Sequence, residues 1–195
     1  KRFSQTVLYA PHFISMVVMV GMLNTLFSPS MGVINTLREA LGMERYYYMA
    51  HPSAFRHLYV WSGVWQNIGW DAVIYLAALS AVDPSLHEAA MIDGASRIQR
   101  ITHINLPTIL PTIVILFIMA VGRVASVGYE KVYLLQNDLN VDVSEVISTY
   151  VYKRGVLNSN YSFSTAVGLF NNVVNIALLL MANFISRRLG ETSLF

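Results

Sequence analysis

Residues 83–126 read DPSLHEAAMIDGASRIQRITHINLPTILPTIVILFIMAVGRVAS. From Pro107 to about Ser126 this stretch holds no acid, has a single base, Arg123, near its end, and is apolar throughout Ile113–Val121. At 1.5 Å per residue, about twenty helical residues cross about 30 Å of hydrocarbon, so this half predicts a membrane span. The half before it predicts a helix–turn–helix. Asp83-Pro84 reads as an N-cap followed by proline at the first helical position, where a missing N–H costs nothing. The helix runs through Leu86–Asp93 and ends at Gly94, a residue able to take positive φ. Ser96-Arg97-Ile98-Gln99 is a capping box that starts a second short helix, and Leu106-Pro107 begins the span. Leu86, Ala89, Ala90, Ile98 and Ile101 give this hairpin an apolar surface for a partner protein to cover.

Composition around this stretch agrees with a membrane solvent. The chain has 195 residues, with 13 Lys+Arg against 11 Asp+Glu, a formal net charge of +2. Charged residues make up 12 %, against about 25 % in soluble domains, while hydrophobic residues make up 55 %. Mean hydropathy is +0.49. These values exclude intrinsic disorder, and no basic patch marks a nucleic-acid surface. A soluble domain of this size could not hide so much apolar surface. The lack of cysteine excludes disulfides, thiolate metal sites and thiol catalysis. The first residue is Lys1 rather than Met, so the chain reads as a fragment or processed product. Val7–Phe27 is too long for a signal-peptide core, and no small-residue cleavage site follows it.

Four stretches are predicted to span: Val7–Phe27, Leu58–Val82, Pro107–Ser126 and Thr165–Ile185. The second and fourth carry polar side chains that need helical neighbours. Ile34, Leu37 and Leu41 predict an interfacial amphipathic helix, and Tyr46, Tyr47 and Tyr48 an aromatic belt. Val143, Val146, Ile147, Tyr150 and Val151 fall on one face of a second amphipathic stretch. The reading is a single all-α, polytopic helical bundle over residues 1–195. Four spans place Lys1, Arg2, Arg97, Arg100, Arg187 and Arg188 on one side, in short segments that the positive-inside rule assigns to the cytoplasm.

Glu88-Ala89-Ala90-Met91-Ile92-Asp93-Gly94-Ala95, followed by Ile101, Ile104, Leu106-Pro107 and Pro111, resembles the EAA loop of ABC-importer permeases, the MetI-like family. Ile101 stands where an aromatic residue is common. Tyr75–Leu79, Tyr161–Phe170 and the terminal Ser186-Arg187-Arg188-Leu189-Gly190-Glu191 resemble its polysaccharide and oligosaccharide branch. The resemblance covers essentially the whole chain. It implies a MetI-like core of six spans, of which this chain carries the last four. It also implies carbohydrate import across a bacterial plasma membrane, with amino-acid or peptide transport as the alternative. The implied partners are a second homologous permease subunit, a pair of cytoplasmic ATPases and an extracellular solute-binding lipoprotein. ATP and Mg would be held by the ATPases, so this chain needs no cofactor and catalyses nothing. In loop 83–106 the resemblance makes Glu88, Ala89, Ala90, Asp93, Gly94, Ala95, Ile101, Leu106 and Pro107 the ATPase-coupling residues.

Candidate pathway residues follow from the span polarity. Asn67 and Asp71 share one helix face, Ser62, Gln66 and Gly69 another, and Gly168, Asn171, Asn172 and Asn175 form an i, i+3, i+4, i+7 stripe. A sugar path needs neutral donors and acceptors, and amides supply both. The same amides also serve as glue between helices, at about 0.6–2 kcal/mol each. Asp71 is dearer to bury and is expected to pair with a donor or face water. His12, His51, His57, His87 and His103 lack metal-ligand spacing, and neither a Walker A sequence nor Gly-x-Ser-x-Gly is present. An intramembrane hydrolase is thereby disfavoured.

Overall fold

The computed structural model describes residues 2–188, with side chains from residue 5 onward. Lys1 and residues 189–191 of the terminal motif lie outside the described residues. The described elements are helical: α1 (Arg2–Tyr9), a 3-10 turn (Ala10–Phe13), α2 (Met16–Leu26), α3 (Val33–Ala40), α4 (Pro52–Ser80), α5 (Pro84–Ile92), α6 (Arg97–Arg100), a π-turn (Ile101–Asn105), α7 (Leu106–Val121), α8 (Tyr129–Leu135), α9 (Val141–Ser144), α10 (Ile147–Val151), a second π-turn (Tyr152–Leu157) and α11 (Tyr161–Arg188). They form two compact units, Lys1–Gly69 with Val127–Gly168, and Trp70–Ser126 with Leu169–Phe195. The long helices α4 and α11 each contribute to both.

Among the described residues, the expected four spans reduce to two helices long and apolar enough to cross a membrane, Arg97–Val121 and Tyr161–Arg188. A third is counted if the bent pair Gln5–Phe13 and Met16–Leu26 is one broken span. That pair turns through 101° inside the run read as one helix. Pro11 shapes the 3-10 turn, Ile14 and Ser15 go extended (ψ 126° and 152°), and Ser15 caps α2 by accepting from Val18 N–H. Helix α4 has the length, with 29 residues, but Arg56, His57, Gln66, Asn67 and Asp71 dilute its apolarity. The third expected span starts earlier than Pro107. Helix α6, the π-turn and α7 run on as one helix of 25 residues. Leu106 N–H reaches back five residues to Ile101 O. This wide turn lies directly ahead of Pro107, whose ring would crowd a tighter one.

In the first unit, Met19, Val20, Met49, Phe55, Leu58, Val132 and Leu135 form the buried core. Two fully buried asparagines tie its loops. Asn35 Nδ2 donates to Ser28 O (2.9 Å) and Tyr46 O (3.0 Å), and its Oδ1 accepts from Tyr46 N–H (2.8 Å). Asn140 Nδ2 donates to Met49 O and Leu135 O. The tyrosine triplet does not form a uniform belt. Tyr46 and Tyr48 meet edge to face with centroids 4.9 Å apart and are half-buried, while Tyr47 is exposed. The stretch from Val143 to Val151 is not one helix: Glu145 goes extended between α9 and α10. Val143 and Val146 pack on the core, while Ile147 and Tyr150 are exposed. On α3, Leu37 and the following Leu41 are exposed, as an interfacial helix requires. In the second unit, Ile118 is the buried apolar centre of α7, and Gly122 leaves space that Leu179 of α11 fills.

Candidate functional site

The Asp83–Leu106 elbow is built by three local devices. Asp83 Oδ1 accepts from Ser85 N–H at 2.9 Å, which starts α5 and holds the Asp83 carboxyl below its usual pKa. At the other end Gly94 has φ +75°, Gly94 N–H donates to Met91 O (3.1 Å) and Ala95 N–H to Ala90 O (2.8 Å). These paired bonds are a Schellman motif, which only a residue comfortable at positive φ closes without strain. Ser96 and Gln99 then exchange the two bonds of a capping box, at 3.3 and 2.7 Å.

The elbow presents chemistry outward. Glu88, Ala89, Asp93, Gly94, Ile101, Leu106 and Pro107 are exposed, while Ala90 and Ala95 are half-buried. Glu88 has no ion pair among the described residues. Ile92 is 86 % exposed and Ile98 73 %, an apolar load that water disfavours. A hollow of about 240 Å³ lies in the elbow, lined by Ala90, Ala95, Gln99, Arg100, His103 and Ile104. Arg100 Nε is buried there without a hydrogen-bond partner.

The six pathway candidates fall into separate groups. In the first unit, Gln66 Nε2 donates to Ile14 O at 2.8 Å, the carbonyl released by the break between α1 and α2. Asn67 Nδ2 donates to Gly63 O at 3.0 Å, and its Oδ1 lies 3.2 Å from His12 Nδ1. Gln66 thus ties α4 to the break between α1 and α2, and Asn67 meets His12 of the 3-10 turn. In the second unit, Asp71 and Asn172 are exposed. Asn171 and Asn175 converge on Ser126 Oγ, at 3.4 and 2.6 Å, and Asn175 Oδ1 is buried without a partner. Ser126 had no signal in the sequence, because only the fold brings it beside α11. Among the described residues no cluster of His, Asp and Glu is placed to hold a metal.

Sequence reading also missed Lys131. It is 6 % exposed. Its Nζ donates to Tyr59 O at 2.6 Å and lies 4.7 Å from the Tyr59 ring centroid. Burial brings its pKa down to about 8.

Residues 1–191 match the family described as binding-protein-dependent transport system inner membrane component. The chain belongs to that family. The chain is 41 % identical, over its full 195 residues, to the polygalacturonan/rhamnogalacturonan transport system permease protein YteP of Bacillus subtilis (strain 168). It spans 61 % of that relative's length. It is similar to a chain of a bacterial alginate ABC transporter solved with an alginate pentasaccharide-bound periplasmic protein. There the TM-score is 0.93 and the identity 41 %, covering 99 % of this chain and 67 % of that one. A second structure, of a bacterial ABC transporter involved in import of the acidic polysaccharide alginate, gives a TM-score of 0.91 at 42 % identity, with 96 % and 65 % covered. The all-α permease fold is thus shared, and the family is one of transport components, not of enzymes.

Proposed function

We propose that this chain is a membrane-spanning permease subunit of a binding-protein-dependent ABC importer for oligosaccharides or polysaccharide fragments. It lines part of the translocation path with a second, related permease subunit. It couples that path to a pair of ATPases at the cytoplasmic face of a bacterial plasma membrane and receives sugar from an extracellular binding protein. The observation that carries this reading is the elbow at Glu88–Ala95. There a left-handed Gly94 joins two short helices whose small and apolar residues face outward, beside an acid with no internal cation. Helix α6 continues through the π-turn into α7 without a break, so a push on the elbow is delivered along one rod of 25 residues.

Within this reading Ala89 and Ala90 allow close backbone approach to a cleft in the ATPase, and Glu88 makes a charge-assisted bond to an ATPase Arg or Lys. Asp93, Ala95, Ile101, Leu106 and Pro107 shape the rest of the docking surface. ATP-driven closure of the ATPases moves the elbow, and the Asn171–Asn175 amides offer sugar hydroxyls the donors and acceptors they lose with water. The names of the similar proteins favour sugars over amino acids or peptides as cargo.

The test is co-purification of ATPase and labelled-sugar uptake by transporters carrying Glu88→Lys at matched permease levels. Loss of ATPase retention with the binding protein still docking outside is expected. Full retention and full uptake would remove the coupling role. Uptake of labelled amino acids in place of saccharides would overturn the choice of cargo.

A further inference from the structure

We propose that Arg123 and Ser126 line a water-filled stretch of the translocation path near the middle of the membrane, where the Arg123 guanidinium donates hydrogen bonds to the oxygens of a passing saccharide. This rests on the permease reading above and adds to it the place where the path meets the second unit.

The depth is set by α11. Arg187 and Arg188, in its last turn, are the only charged residues of that helix, and residues 166–185 ahead of them carry no charge. The pair therefore belongs at one face of the membrane. Leu179 stands eight residues before Arg187, about 12 Å along the helix, and Asn175 twelve residues before it, about 18 Å. Leu179 packs on Gly122, where an added Cβ would meet the leucine side chain at 2.8 Å. Asn175 Nδ2 donates to Ser126 Oγ at 2.6 Å. Residues 122–126 are thus held about 12–18 Å inward from Arg187, in a hydrocarbon layer about 30 Å thick. The same register continues below, where Val114 and Val121 of α7 share an apolar hollow of about 320 Å³ with Met181, Ile185 and Ser186 of α11. Sliding the bilayer along the pair until α7 fills it would carry both Arg187 and Arg188 to mid-depth, two charges in place of one.

Two features at this depth are ones that hydrocarbon rejects. The first is the backbone. Helix α7 ends at Val121, and the chain goes on as a turn over residues 122–125. Irregular backbone at membrane depth persists only where protein buries it or where it lines a water-filled cavity. Here Arg123, Val124 and Ser126 are exposed. The second is charge. Among the described residues Arg123 has no ion pair and no side-chain hydrogen bond. Snorkelling serves a long side chain near a membrane face, and this one starts about 12 Å inside. An unpaired cation at such depth faces water, and in a transporter that water marks the route. The neighbouring groups suit a saccharide. Asn171 and Asn175 both reach Ser126 Oγ, Asn175 Oδ1 is an acceptor without a partner, and the planar guanidinium fork donates to two adjacent ring or hydroxyl oxygens.

The chain contains no cysteine, so single thiols are introduced into it without a background of its own. The experiment uses the assembled transporter in membrane vesicles, with its partner subunits made cysteine-free. A charged, membrane-impermeant methanethiosulfonate is added from either side to Arg123→Cys, Ser126→Cys and Val173→Cys. Val173 is 64 % exposed and lies on the side of α11 away from Asn171 and Asn175. The thiolate is the reactive form and needs water to form, so Arg123→Cys and Ser126→Cys should react at least about tenfold faster than Val173→Cys. Reaction at Arg123→Cys should abolish labelled-saccharide uptake. Arg123→Met should lower uptake while ATPase and partner permease still co-purify, and Arg123→Lys should recover part of it. A rate at Arg123→Cys no faster than at Val173→Cys would put the side chain in lipid or in a protein contact and overturn the inference. So would fast reaction that leaves uptake intact. Loss of the partner permease from Arg123→Met, together with a slow thiol, would make Arg123 one half of an ion pair between subunits and overturn it as well. Should Arg123→Cys fail to accumulate, Ser126→Cys decides by the same rate and the same block of uptake. Labelling does not depend on the cargo. Native uptake of amino acids in place of saccharides would sink the sugar reading alone, and the rates would still decide whether water reaches Arg123.

Discussion

The backbone N–H of Ala95 donates to the carbonyl of Ala90 at 2.8 Å, closing the end of α5 across Gly94. The bond requires Gly94 to sit at φ +75°, yet nothing lies within 4 Å of where a Cβ on that glycine would stand. Conformation and crowding therefore separate at this position. Gly94→Val should cost about 1–2 kcal/mol in strain or re-aim α6. Gly94→Asn tolerates the left-handed region and should leave thermal stability within about 1 kcal/mol of native. If the elbow enters a cleft on an ATPase, the open space belongs to that partner, and even Gly94→Asn should reduce ATPase co-purification and uptake. Native levels of both in Gly94→Asn would reduce Gly94 to a helix cap.

Asn35 makes a prediction about the fold alone. It is fully buried and satisfies two carbonyls and one N–H on the loops flanking α3. Asn35→Ala strands these groups without water, and each buried unsatisfied group costs about 1–3 kcal/mol. Unfolding in detergent should show a loss of at least about 2 kcal/mol. Asn35→Asp restores only the acceptor and should recover little. A loss under about 0.5 kcal/mol in the alanine variant would mean that water reaches the site.

The devices that rest on neighbouring residues were legible in the sequence: the Asp83 cap, the Gly94 break and the Ser96–Gln99 box all form as their spacing required. The breaks in apolar runs were not. Val7–Phe27 has the composition of one span, but Pro11 and the Ser15 cap bend it, and the freed Ile14 carbonyl finds Gln66 fifty-two residues away. Pro107 looked like a boundary because proline ends regular helices, whereas a π-turn absorbs it and the rod continues. Long-range polar partners carry no local signal. Gln66 and Asn67 find partners on distant segments, and Lys131 and Ser126 acquire their surroundings only from the fold.

Asn175 allows glue and pathway to be distinguished on α11. Its Nδ2 bonds Ser126 Oγ at 2.6 Å, but its Oδ1 is buried and unpartnered. Removing an orphaned acceptor relieves a desolvation cost, whereas removing a satisfied amide loses a bond. Asn175→Leu loses the Ser126 bond as it removes the orphaned oxygen, so the two effects offset and thermal stability should change little, whereas uptake should fall or sugar selectivity change if the amide meets the sugar during transport. Ser126→Ala strands the amide donors of Asn171 and Asn175 and should lower stability first. Normal transport across a set of sugars in Asn175→Leu would assign the amide to packing.

Glu145 and Lys153 set a pH dependence. Lys153 Nζ lies 2.7 Å from Glu145 Oε2 and 2.5 Å from Gln136 Oε1, and Thr149 Oγ1 donates to Glu145 Oε1 at 2.5 Å. Burial raises the Glu145 pKa, but the bonds from Lys153 and Thr149 and the Lys153 charge outweigh it, and the carboxyl ends below its usual value of 4.5. The folded state therefore holds fewer protons than the unfolded chain between the two values. The stabilisation is fully present above pH 4.5 and is lost as pH falls below it towards the folded value. Both side chains remain about one-third exposed, so the pair contributes up to about 1 kcal/mol. Melting temperature in detergent, followed from pH 7 to pH 3, should drop less steeply below pH 4.5 in Glu145→Gln than in the native chain. The variant should melt lower at pH 7, and the gap should close in acid. A constant gap across that range would mean that the carboxylate contributes through shape rather than charge.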